Sequence, residues 1–513
     1  MIIFKEIQLL PEIFLVIAII YVIIHGTFIS VNVKYLLIQN SVLHLTVLIL
    51  SLFYVLLINN IIEFNDYKIF NNTITVDYLS FFSKAWIAVI SILCFIITQY
   101  YITRQKINYF EYSVLILFAL LGIFFICSSN DFITAYLAIE LQSLSFYMMS
   151  AMKKDSAFSV DAGLKYFILG AFSSSLFLFG SSIIYGISGT TNFEDLKNLF
   201  YSMYINPEIL SLCSDRTFSK YIFLDGSLIQ FALIFFFISL LFKLAIAPFH
   251  LWSIDVYEGS PTSSTLFFAV VPKLAIFILF IRIFYSSFFE YIIKWRYYIV
   301  ILAVLSIVVG SFGGFEQKKL KSLLAFSSIG HMGYTLVAFS TGTFEGMQFL
   351  LCYLFIYMGA GLCLWSIFLL LQLKYKYIKK QNKELTDLNS LSKSNNILAF
   401  LFSTVLFSIA GLPPMVGFLV KISIFLTSME ASMYLVAAIS ILCSVISTFY
   451  YIRLIKIMYF ESSIVGKLYY PIKYYTSILI IFLFYFLLFL FINPTLIYLI
   501  TYKIVLLLTL SFI

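Results

Sequence analysis

The 513-residue sequence has few of the charged residues that water-soluble folds need. Only 11% of its residues are Asp, Glu, Lys or Arg, whereas 62% are hydrophobic and the mean hydropathy is +1.03. Soluble domains use about 25% charged residues. So few charges cannot cover the surface of a soluble globule of this size, and the composition therefore indicates a membrane protein.

Cysteine is also scarce, and its spacing excludes several kinds of site. The six cysteines form no CxxC pair and no cluster with histidine, so the sequence predicts no disulfide framework and no zinc or iron–sulfur site. No glycine-rich phosphate loop or flavin fingerprint is present, so we expect no cofactor in this chain. The basic excess of +8 is divided among short loops, which favours lipid headgroups and neighbouring subunits over nucleic acid.

Long hydrophobic runs are what the sequence has in excess. A helix of about 20 apolar residues crosses a hydrocarbon core of roughly 30 Å, and by this length we predict fourteen transmembrane helices. They lie near residues 10–28, 38–60, 79–101, 112–129, 131–151, 162–187, 229–260, 265–288, 297–315, 320–340, 346–373, 395–428, 432–459 and 473–500. Because unpaired backbone groups are costly in lipid, the predicted fold class is an all-α membrane protein.

The charges of the loops predict the orientation. Lysine and arginine concentrate in the loops after odd-numbered spans, and Asp and Glu in the loops after even-numbered spans; Lys294 and Arg296 are the exception. By the positive-inside rule the odd loops face the cytoplasm or the mitochondrial matrix, and both termini face the opposite side. The N-terminal segment runs into the first span without a recognisable presequence, so we expect no cleaved leader.

Two segments 165 residues apart share a pattern. FKLAIAP at 242–248 and FSIAGLP at 407–413 have Phe, Leu or Ile, Ala and Pro at equal offsets. Five predicted spans separate them, and an odd number implies two repeats of inverted topology. Pro248, and the pair Pro413 and Pro414, remove backbone donors, so both helices are predicted to be discontinuous. Matched interruptions favour an ion path over the alternative, a simple proline kink in each helix.

Ionisable side chains stand inside the apolar spans. A lysine at the centre of a membrane helix costs about 2.5–3.5 kcal/mol, so several together need water or one another, and we expect them to face inward. The candidates are Glu140, Lys165, Lys243, Lys273 and Lys421. Burial favours the neutral amine and a nearby carboxylate the charged one, so such lysines can load and release protons. The alternative is that a lysine near a helix end reaches the interface with its long side chain.

His331 lies midway along the tenth predicted span. A neutral imidazole there can relay a proton through its two ring nitrogens. The alternative is a structural histidine bonded to a backbone carbonyl. Glu12 and Lys84 stand near span ends, and we interpret them as interfacial.

Four long segments carry a recognisable pattern: YLAIELQSLSFYMMSAMKKDSAFSVDAGLKYFILGAFSSSLFLFGSSIIYGISGTTNF, FKLAIAPFHLWSIDVYEGSPTSSTLFFAVVPKLAIF, QKKLKSLLAFSSIGHMGYTLVAFSTGT and SIAGLPPMVGFLVKISIF. They resemble the subunit N/subunit 2 pattern of NADH:quinone oxidoreductase, respiratory complex I. LLPEIFL and TVDYLSFFSK are similar to that pattern too, so the resemblance covers almost the entire chain.

The resemblance implies a fold of fourteen helices with two inverted five-helix repeats and two discontinuous helices. Residues 1–110 would form an N-terminal three-helix segment, 111–290 and 291–460 the two antiporter-like repeats, and 461–513 a C-terminal transmembrane helix. Because the chain ends at Ile513 without a long lateral helix, we do not expect the largest antiporter-like subunit of the complex.

The resemblance also implies roles for the buried charges. Glu140 would modulate Lys243, with Lys165 between them, while Lys273 would be the central lysine and Lys421 the terminal one. The chain would be a membrane-arm subunit of a hetero-oligomer in the mitochondrial inner membrane or a bacterial plasma membrane. NADH, FMN, iron–sulfur clusters and ubiquinone would belong to partner subunits, and this chain alone would have no redox activity.

Three alternatives remain open on the sequence. A stand-alone cation/proton antiporter subunit has a similar helix count and similar lysine and glutamate positions. A plastid quinone oxidoreductase homologue is the second. The third is a structural assembly subunit whose buried charges only pair with one another.

Overall fold

The apolar runs fold as long helices, which satisfy their own backbone hydrogen bonds. The structure, a computed structural model, describes residues 7–30, 35–59, 67–105, 110–205, 216–374, 379–381, 384–461, 469 and 474–512. Its helices are α1 (Leu10–Ser30), α2 (Tyr35–Asn59), α3 (Tyr78–Gln105), α4 (Glu111–Ser128), α5 (Phe132–Ser150), α6 (Ala157–Ser188), α7 (Phe193–Ile205), α8 (Arg216–Leu244), α9 (Leu251–Gly259), α10 (Thr262–Ile281), α11 (Ile292–Gly313), α12 (Leu320–Ser340), α13 (Phe344–Leu370), α14 (Leu391–Ser394), α15 (Asn396–Ala410), α16 (Val416–Glu430), α17 (Tyr434–Tyr459), α18 (Tyr474–Ile492) and α19 (Thr495–Phe512).

Two short hairpins accompany the helices, and the sequence reasoning predicted neither. Strand β1 (Tyr67–Ile69) pairs antiparallel with β2 (Ile74–Val76), and β3 (Gln372–Lys374) pairs antiparallel with β4 (Lys379–Gln381). Both connect consecutive long helices.

Twelve helices in the described part of the chain are long and apolar enough to cross a membrane, and all twelve fall on predicted spans. They are α1–α4, α6, α8, α10–α13, α17 and α18. The prediction of an all-α membrane protein is therefore confirmed.

The chain leaves the helical conformation at both proline segments. Helix α8 ends at Leu244 and α9 begins at Leu251, while α15 ends at Ala410 and α16 begins at Val416. The residues that follow the two helix ends, Ala245 and Gly411, have φ values of +58° and +81°. A left-handed residue commonly ends a helix, and the prolines that follow cannot restore its hydrogen bonds.

The same pairs of neighbours recur in two groups of helices. In the first group α4 packs on α5, α5 on α6, α6 on α8 and α9, and α4 on α10; in the second α11 packs on α12, α12 on α13, α13 on α15 and α16, and α11 on α17. The groups meet where α10 packs on α13 and α9 on α12. Every residue of α10 is buried, which makes this junction the centre of the protein.

The N-terminal helices hold a buried ion pair that corrects one interpretation. Lys84 Nζ donates to Glu12 Oε1 at 2.6 Å, and the two side chains are 3% and 4% exposed. Glu12 and Lys84 are therefore paired inside the protein rather than exposed at its surface. They join α1 to α3, because an unpaired charge in this apolar environment would be far more costly.

The end of α10 is fixed to the β1–β2 hairpin by one arginine. Arg282 donates to Asp77 Oδ1 at 2.6 Å, to Thr75 Oγ1 at 3.0 Å and to the Cys127 carbonyl at 3.1 Å. The hairpin also reaches α7 through an ion pair between Lys68 and Glu194. These bonds close one end of the bundle with polar groups.

The predicted last span, 473–500, is wrong in extent. It contains the end of α18 at Ile492 and the start of a second helix, α19, at Thr495. Pro494 removes the backbone donor that a continuous helix needs at this point. Helix α19 then packs on α13. Gln348 Nε2 of α13 donates to the Tyr498 carbonyl of α19 at 3.3 Å.

The exception in the loop charges also has a structural reason. Helix α11 begins at Ile292, five residues before the predicted span, so Lys294 and Arg296 belong to a helix. Arg296 donates to the Ala431 carbonyl at 3.2 Å. This carbonyl follows the end of α16, where the helix itself supplies no donor.

Candidate functional site

Three of the predicted lysines lie inside the helix bundle. Lys273 and Lys421 are 3% and 4% exposed, and Lys243 is partly buried. Lys243 is in the last turn of α8, Lys273 is near the middle of α10, and Lys421 is in the second turn of α16. Two of the three therefore stand beside an interrupted helix, and the third stands at the junction of the two helix groups.

Lys243 faces α5. Its amine donates to Tyr147 Oη at 3.4 Å and lies 5.8 Å from the centre of that ring. Glu140 is on the same helix, two turns earlier and partly exposed, and its Oε2 accepts from Ser143 Oγ at 3.2 Å. Among the described residues no ion pair joins Glu140 to Lys243.

A small cavity links the first two lysines. It measures about 20 Å³ and is lined by both Lys243 and Lys273. Its polar lining also includes Gln142, Ser143 and Tyr257. A volume of this size holds about one water molecule, and polar walls are what such a water needs.

Lys273 connects the first group of helices to the second. Its amine donates to Tyr357 Oη at 2.8 Å and lies 4.8 Å from the centre of the ring. Tyr357 belongs to α13, so this single hydrogen bond crosses the junction between the two groups. An ammonium held by a phenol oxygen and a π face is more stable than one in hydrocarbon.

Lys421 is hydrogen-bonded to the backbone at the break between α15 and α16. Its amine donates to the Ala410 carbonyl at 2.7 Å and lies 5.2 Å from the centre of the Tyr334 ring. That carbonyl ends α15 and has no partner one turn later in the helix. A side chain on Gly411 would place its Cβ 2.7 Å from Lys421 Cδ, so glycine here gives both the left-handed turn and the space for the lysine.

A second cavity of about 20 Å³ lies between Tyr357 and Lys421. His331, Tyr353 and Ser408 contribute the other polar walls. The two cavities, with the Lys273–Tyr357 hydrogen bond between them, place the amines of Lys243, Lys273 and Lys421 in one connected row.

His331 is bonded by side chains rather than by the backbone. Its Nδ1 lies 2.6 Å from Tyr353 Oη and its Nε2 lies 3.2 Å from Tyr451 Oη. Both ring nitrogens are thus engaged by hydroxyl groups, each of which can donate or accept. The alternative of a histidine that only satisfies a backbone carbonyl is wrong.

Lys165 does not join this row. It pairs with Asp255 at 2.5 Å, and the two side chains are 57% and 50% exposed. The prediction that Lys165 faces inward, between Glu140 and Lys243, is therefore wrong. Helix α6 starts five residues before the predicted span and turns this face outward, next to exposed Leu164 and Ile168.

Sequence reasoning missed the hydroxyl groups of the site. Tyr147, Tyr357, Tyr353 and Tyr451 contact the predicted residues directly. Tyr353 and Tyr357 are four residues apart on α13, a spacing that places both on one face. The chain has 37 tyrosines, so this signal was present but not specific.

The described residues do not gather a metal centre. No group of three or more His, Cys, Asp and Glu side chains among them is arranged to hold an ion. The chemistry that the row can perform is the transfer of protons between amines, phenols and imidazole.

The row lies within a region that matches a known family. The family model described as "NADH:quinone oxidoreductase/Mrp antiporter, TM" matches residues 129–447. The NADH-ubiquinone oxidoreductase chain 2 of Marchantia polymorpha is 39% identical over 506 residues, which are 96% of this chain and 97% of that one. The chain belongs to the family of subunit N and chain 2 of NADH:quinone oxidoreductase.

One further relative and two solved structures are also similar to this chain. NADH-quinone oxidoreductase subunit N of Paramagnetospirillum magneticum is 38% identical over 77% of both chains. A chain of respiratory complex I from Thermus thermophilus with bound aureothin superposes with a TM-score of 0.74 at 25% identity, covering 95% of this chain and 98% of that chain. A chain of the Mrp complex from Dietzia sp. shares the fold, with a TM-score of 0.75 at 17% identity over 98% and 97% of the two chains.

Proposed function

We propose that this chain is a proton-translocating membrane-arm subunit of an NADH:quinone oxidoreductase. Oxidation of NADH and reduction of quinone take place in partner subunits, and protons move here along Glu140, Lys243, Lys273, His331 and Lys421. The observation that carries the proposal is the connected row of three lysine amines inside the bundle, joined by two cavities and one phenol.

The row begins at Glu140, where the charge of a neighbouring subunit can act on it. Glu140 is partly exposed on α5, and Lys243 contacts the same helix through Tyr147. A change of charge beside Glu140 alters how strongly the carboxylate stabilises the ammonium of Lys243. A proton then leaves Lys243 for the cavity that it shares with Lys273.

The row continues through side chains that both donate and accept protons. Lys273 is hydrogen-bonded to Tyr357, and the second cavity brings Tyr357, His331 and Lys421 together. Lys421 releases its proton to leave a neutral amine, which can still donate a hydrogen bond to the Ala410 carbonyl. Each transfer is between neighbouring groups, which keeps the ion away from hydrocarbon.

We also propose fourteen membrane crossings, more than the twelve spans described above. Helix α5 would cross as well, and α15 and α16 would form one discontinuous crossing, as α8 and α9 do. Residues 111–290 and 291–460 would then be two inverted five-helix repeats between the segments 1–110 and 461–513. The recurring neighbours of the two helix groups support this arrangement.

The proposed setting is a hetero-oligomer. Exposed Leu137, Leu144 and Met148 form an apolar face on α5 that also carries Glu140, and the pair of Lys165 and Asp255 is exposed nearby on α6 and α9. Charges on an apolar face are expected to meet polar groups of a neighbouring membrane subunit. NADH, FMN, iron–sulfur clusters and ubiquinone are assigned to the partners, and no redox activity to this chain alone.

The stand-alone antiporter is less well supported. The Mrp chain is similar at 17% identity, which speaks for the fold, whereas a relative that covers 96% of this chain at 39% identity is named as an oxidoreductase chain. A redox-linked assembly is therefore the function that we favour.

Replacement of the central lysine tests the proposal. In the assembled oxidoreductase reconstituted in liposomes, Lys273→Gln is expected to lower NADH-driven proton uptake at least about tenfold, since a positioned proton carrier contributes about 10²–10⁴ in rate. Lys294→Gln, at an exposed lysine of α11, is the matched control. Normal proton uptake by assembled Lys273→Gln enzyme would refute the row as a path.

A further inference from the structure

A cavity of about 490 Å³ lies apart from the lysine row. It is bounded by the β1–β2 hairpin, the start of α3, α7, the end of α10 and α19. Ligand pockets in proteins measure roughly 300–1,000 Å³, so this cavity can hold a small molecule or the polar head of a larger one. None of the side chains that line it belongs to the proposed proton path.

The polar wall of this cavity carries a net positive charge. Lys68, Lys197 and Arg282 line it, and its carboxylates are Asp77 and Glu194. Three cations against two anions leave a net charge of +1. Both carboxylates already belong to ion pairs, Asp77 with Arg282 and Glu194 with Lys68. The cavity is therefore suited to a ligand with one negative charge.

Arg282 keeps donors for such a ligand. It is 8% exposed, and its hydrogen bonds to the Cys127 carbonyl, Thr75 and Asp77 use three N–H groups, one on each nitrogen. A guanidinium has five N–H groups in a fixed fork. One N–H on each terminal nitrogen therefore has no hydrogen bond to the described residues, and this pair of donors matches the oxygens of a phosphate.

Lys197 also gains from an added anion. It is partly buried on α7, outside the spanning helices. Burial lowers the pKa of its ammonium, Glu194 raises that pKa, and Lys68 lowers it. The lowered pKa means that the charged form is less stable here than in water. A further negative charge in the cavity would stabilise it.

The opposite wall is apolar. Ile504, Leu507 and Leu508 of α19 line it together with Leu79 of α3, and Leu507 is 38% exposed. An inorganic anion would leave these side chains in water, whereas a hydrocarbon would desolvate the charges opposite them. The ligand that fits both walls is an amphiphile with an anionic head.

The cavity lies at the level where two long helices end. Helix α3 begins at Tyr78 and α10 ends at Ile281, and Tyr78 and Arg282 both line the cavity. Because a spanning helix covers the hydrocarbon core of about 30 Å, its ends reach the headgroup region. The bilayer therefore supplies phosphodiesters joined to acyl chains at this level.

We propose that this cavity binds one anionic phospholipid, with its phosphodiester against Arg282 and Lys197 and an acyl chain along Ile504 and Leu507 of α19. The single negative charge of the lipid neutralises the cavity, as in other basic pockets between membrane helices. The acyl chain covers the exposed apolar side of α19. This inference does not rest on the proposed proton path.

Photolabelling in native membranes tests the site. Phosphatidylglycerol with a diazirine in one acyl chain is expected to label the α19 segment that contains residues 504–508, and unlabelled phosphatidylglycerol should compete. Peptide mass spectrometry of the purified chain locates the label. The corresponding phosphatidylcholine probe has no net charge, so it would leave the cavity positive and should label this segment about tenfold less at equal concentration.

Two substitutions change the two walls separately. Lys197→Gln should raise the half-saturating concentration of the phosphatidylglycerol probe about tenfold, equivalent to ~1.4 kcal/mol. Leu507→Glu places a carboxylate on the apolar wall and should abolish labelling of the segment. Lys294→Gln changes an exposed lysine of α11 that does not line the cavity, and it should label as the unaltered chain does.

Four results would overturn the inference. The first is the same half-saturating concentration in Lys197→Gln and Lys294→Gln, and the second is equal labelling by the two lipid probes. Competition by inorganic phosphate as strong as that by phosphatidylglycerol would show that the site binds free phosphate instead. A density map with a segment of a neighbouring subunit inside the cavity would assign it to a protein contact. If Lys197→Gln does not assemble, undiminished labelling in Leu507→Glu is sufficient to reject the lipid.

Discussion

The two interrupted helices solve the same backbone problem in different ways. Each break leaves carbonyl groups without an intrahelical donor. In the first, the Phe242 carbonyl accepts from Trp252 Nε1 at 2.9 Å in addition to the Ala245 backbone N–H at 3.0 Å. In the second, the Ala410 carbonyl accepts from the amine of Lys421 at 2.7 Å. An uncharged indole caps one break, and the candidate proton carrier itself caps the other.

This difference separates the roles of the two lysines. Lys243 is not needed to cap its break, so its amine faces Tyr147 and the Glu140 side of α5. Lys421 binds the carbonyl of its own break, and a bond from a charged donor is roughly twice as strong as a neutral one. The first break therefore leaves its lysine responsive to a neighbour, whereas the second holds its lysine in place.

The largest effect is expected from a change that keeps the charge of Lys421 but prevents its loss. Lys421→Arg should abolish proton uptake by the reconstituted enzyme, since a guanidinium does not deprotonate in proteins. Lys294→Arg is the control at an exposed position. Full proton uptake with Lys421→Arg would show that Lys421 only caps α15 and that the proposed comparison is mistaken.

A smaller effect is expected from the glycine beside that lysine. In Gly411→Ala the new Cβ would lie 2.7 Å from Lys421 Cδ, so the amine must move away from the Ala410 carbonyl, and uptake should fall severalfold. The left-handed backbone alone costs an alanine about 1–2 kcal/mol.

Gly189→Ala separates the two causes. Gly189 ends α6 with φ +71°, and nothing lies within 4 Å of its would-be Cβ. It should show the backbone cost as a lower denaturation midpoint but pump normally. Equal pumping defects in both variants would mean that the contact with Lys421 is irrelevant.

The smallest effect is expected at the first break. Trp252→Phe removes one of the two donors to the Phe242 carbonyl and leaves the Ala245 N–H. It should lower stability by about 1 kcal/mol, with pumping reduced no more than about twofold. Trp295→Phe removes a similar bond to the Phe288 carbonyl outside either break and should match it in thermal denaturation. Loss of pumping in Trp252→Phe as severe as in Lys421→Arg would show that the two breaks are equivalent.

Much of the fold and some of the site followed from the sequence. Twelve predicted spans coincide with helices that can cross a membrane, because the length of an apolar run is a local property set by the thickness of the bilayer. The positions of the prolines in the sequence correctly indicated where α8 and α15 end, because a missing backbone donor disrupts the helix within one turn. The buried positions of Lys273 and Lys421 followed from the cost of charge in hydrocarbon.

What only the tertiary structure decided is which side chains meet. Lys165 turned outward, Glu12 and Lys84 paired, and Lys273 found Tyr357, which is 84 residues away. Lipid tails are as apolar as a helix interior, so the periodicity of an apolar helix does not say which face turns inward. That choice is made when helices distant in the sequence pack together, and it placed the tyrosines and Ser408 among the lysines.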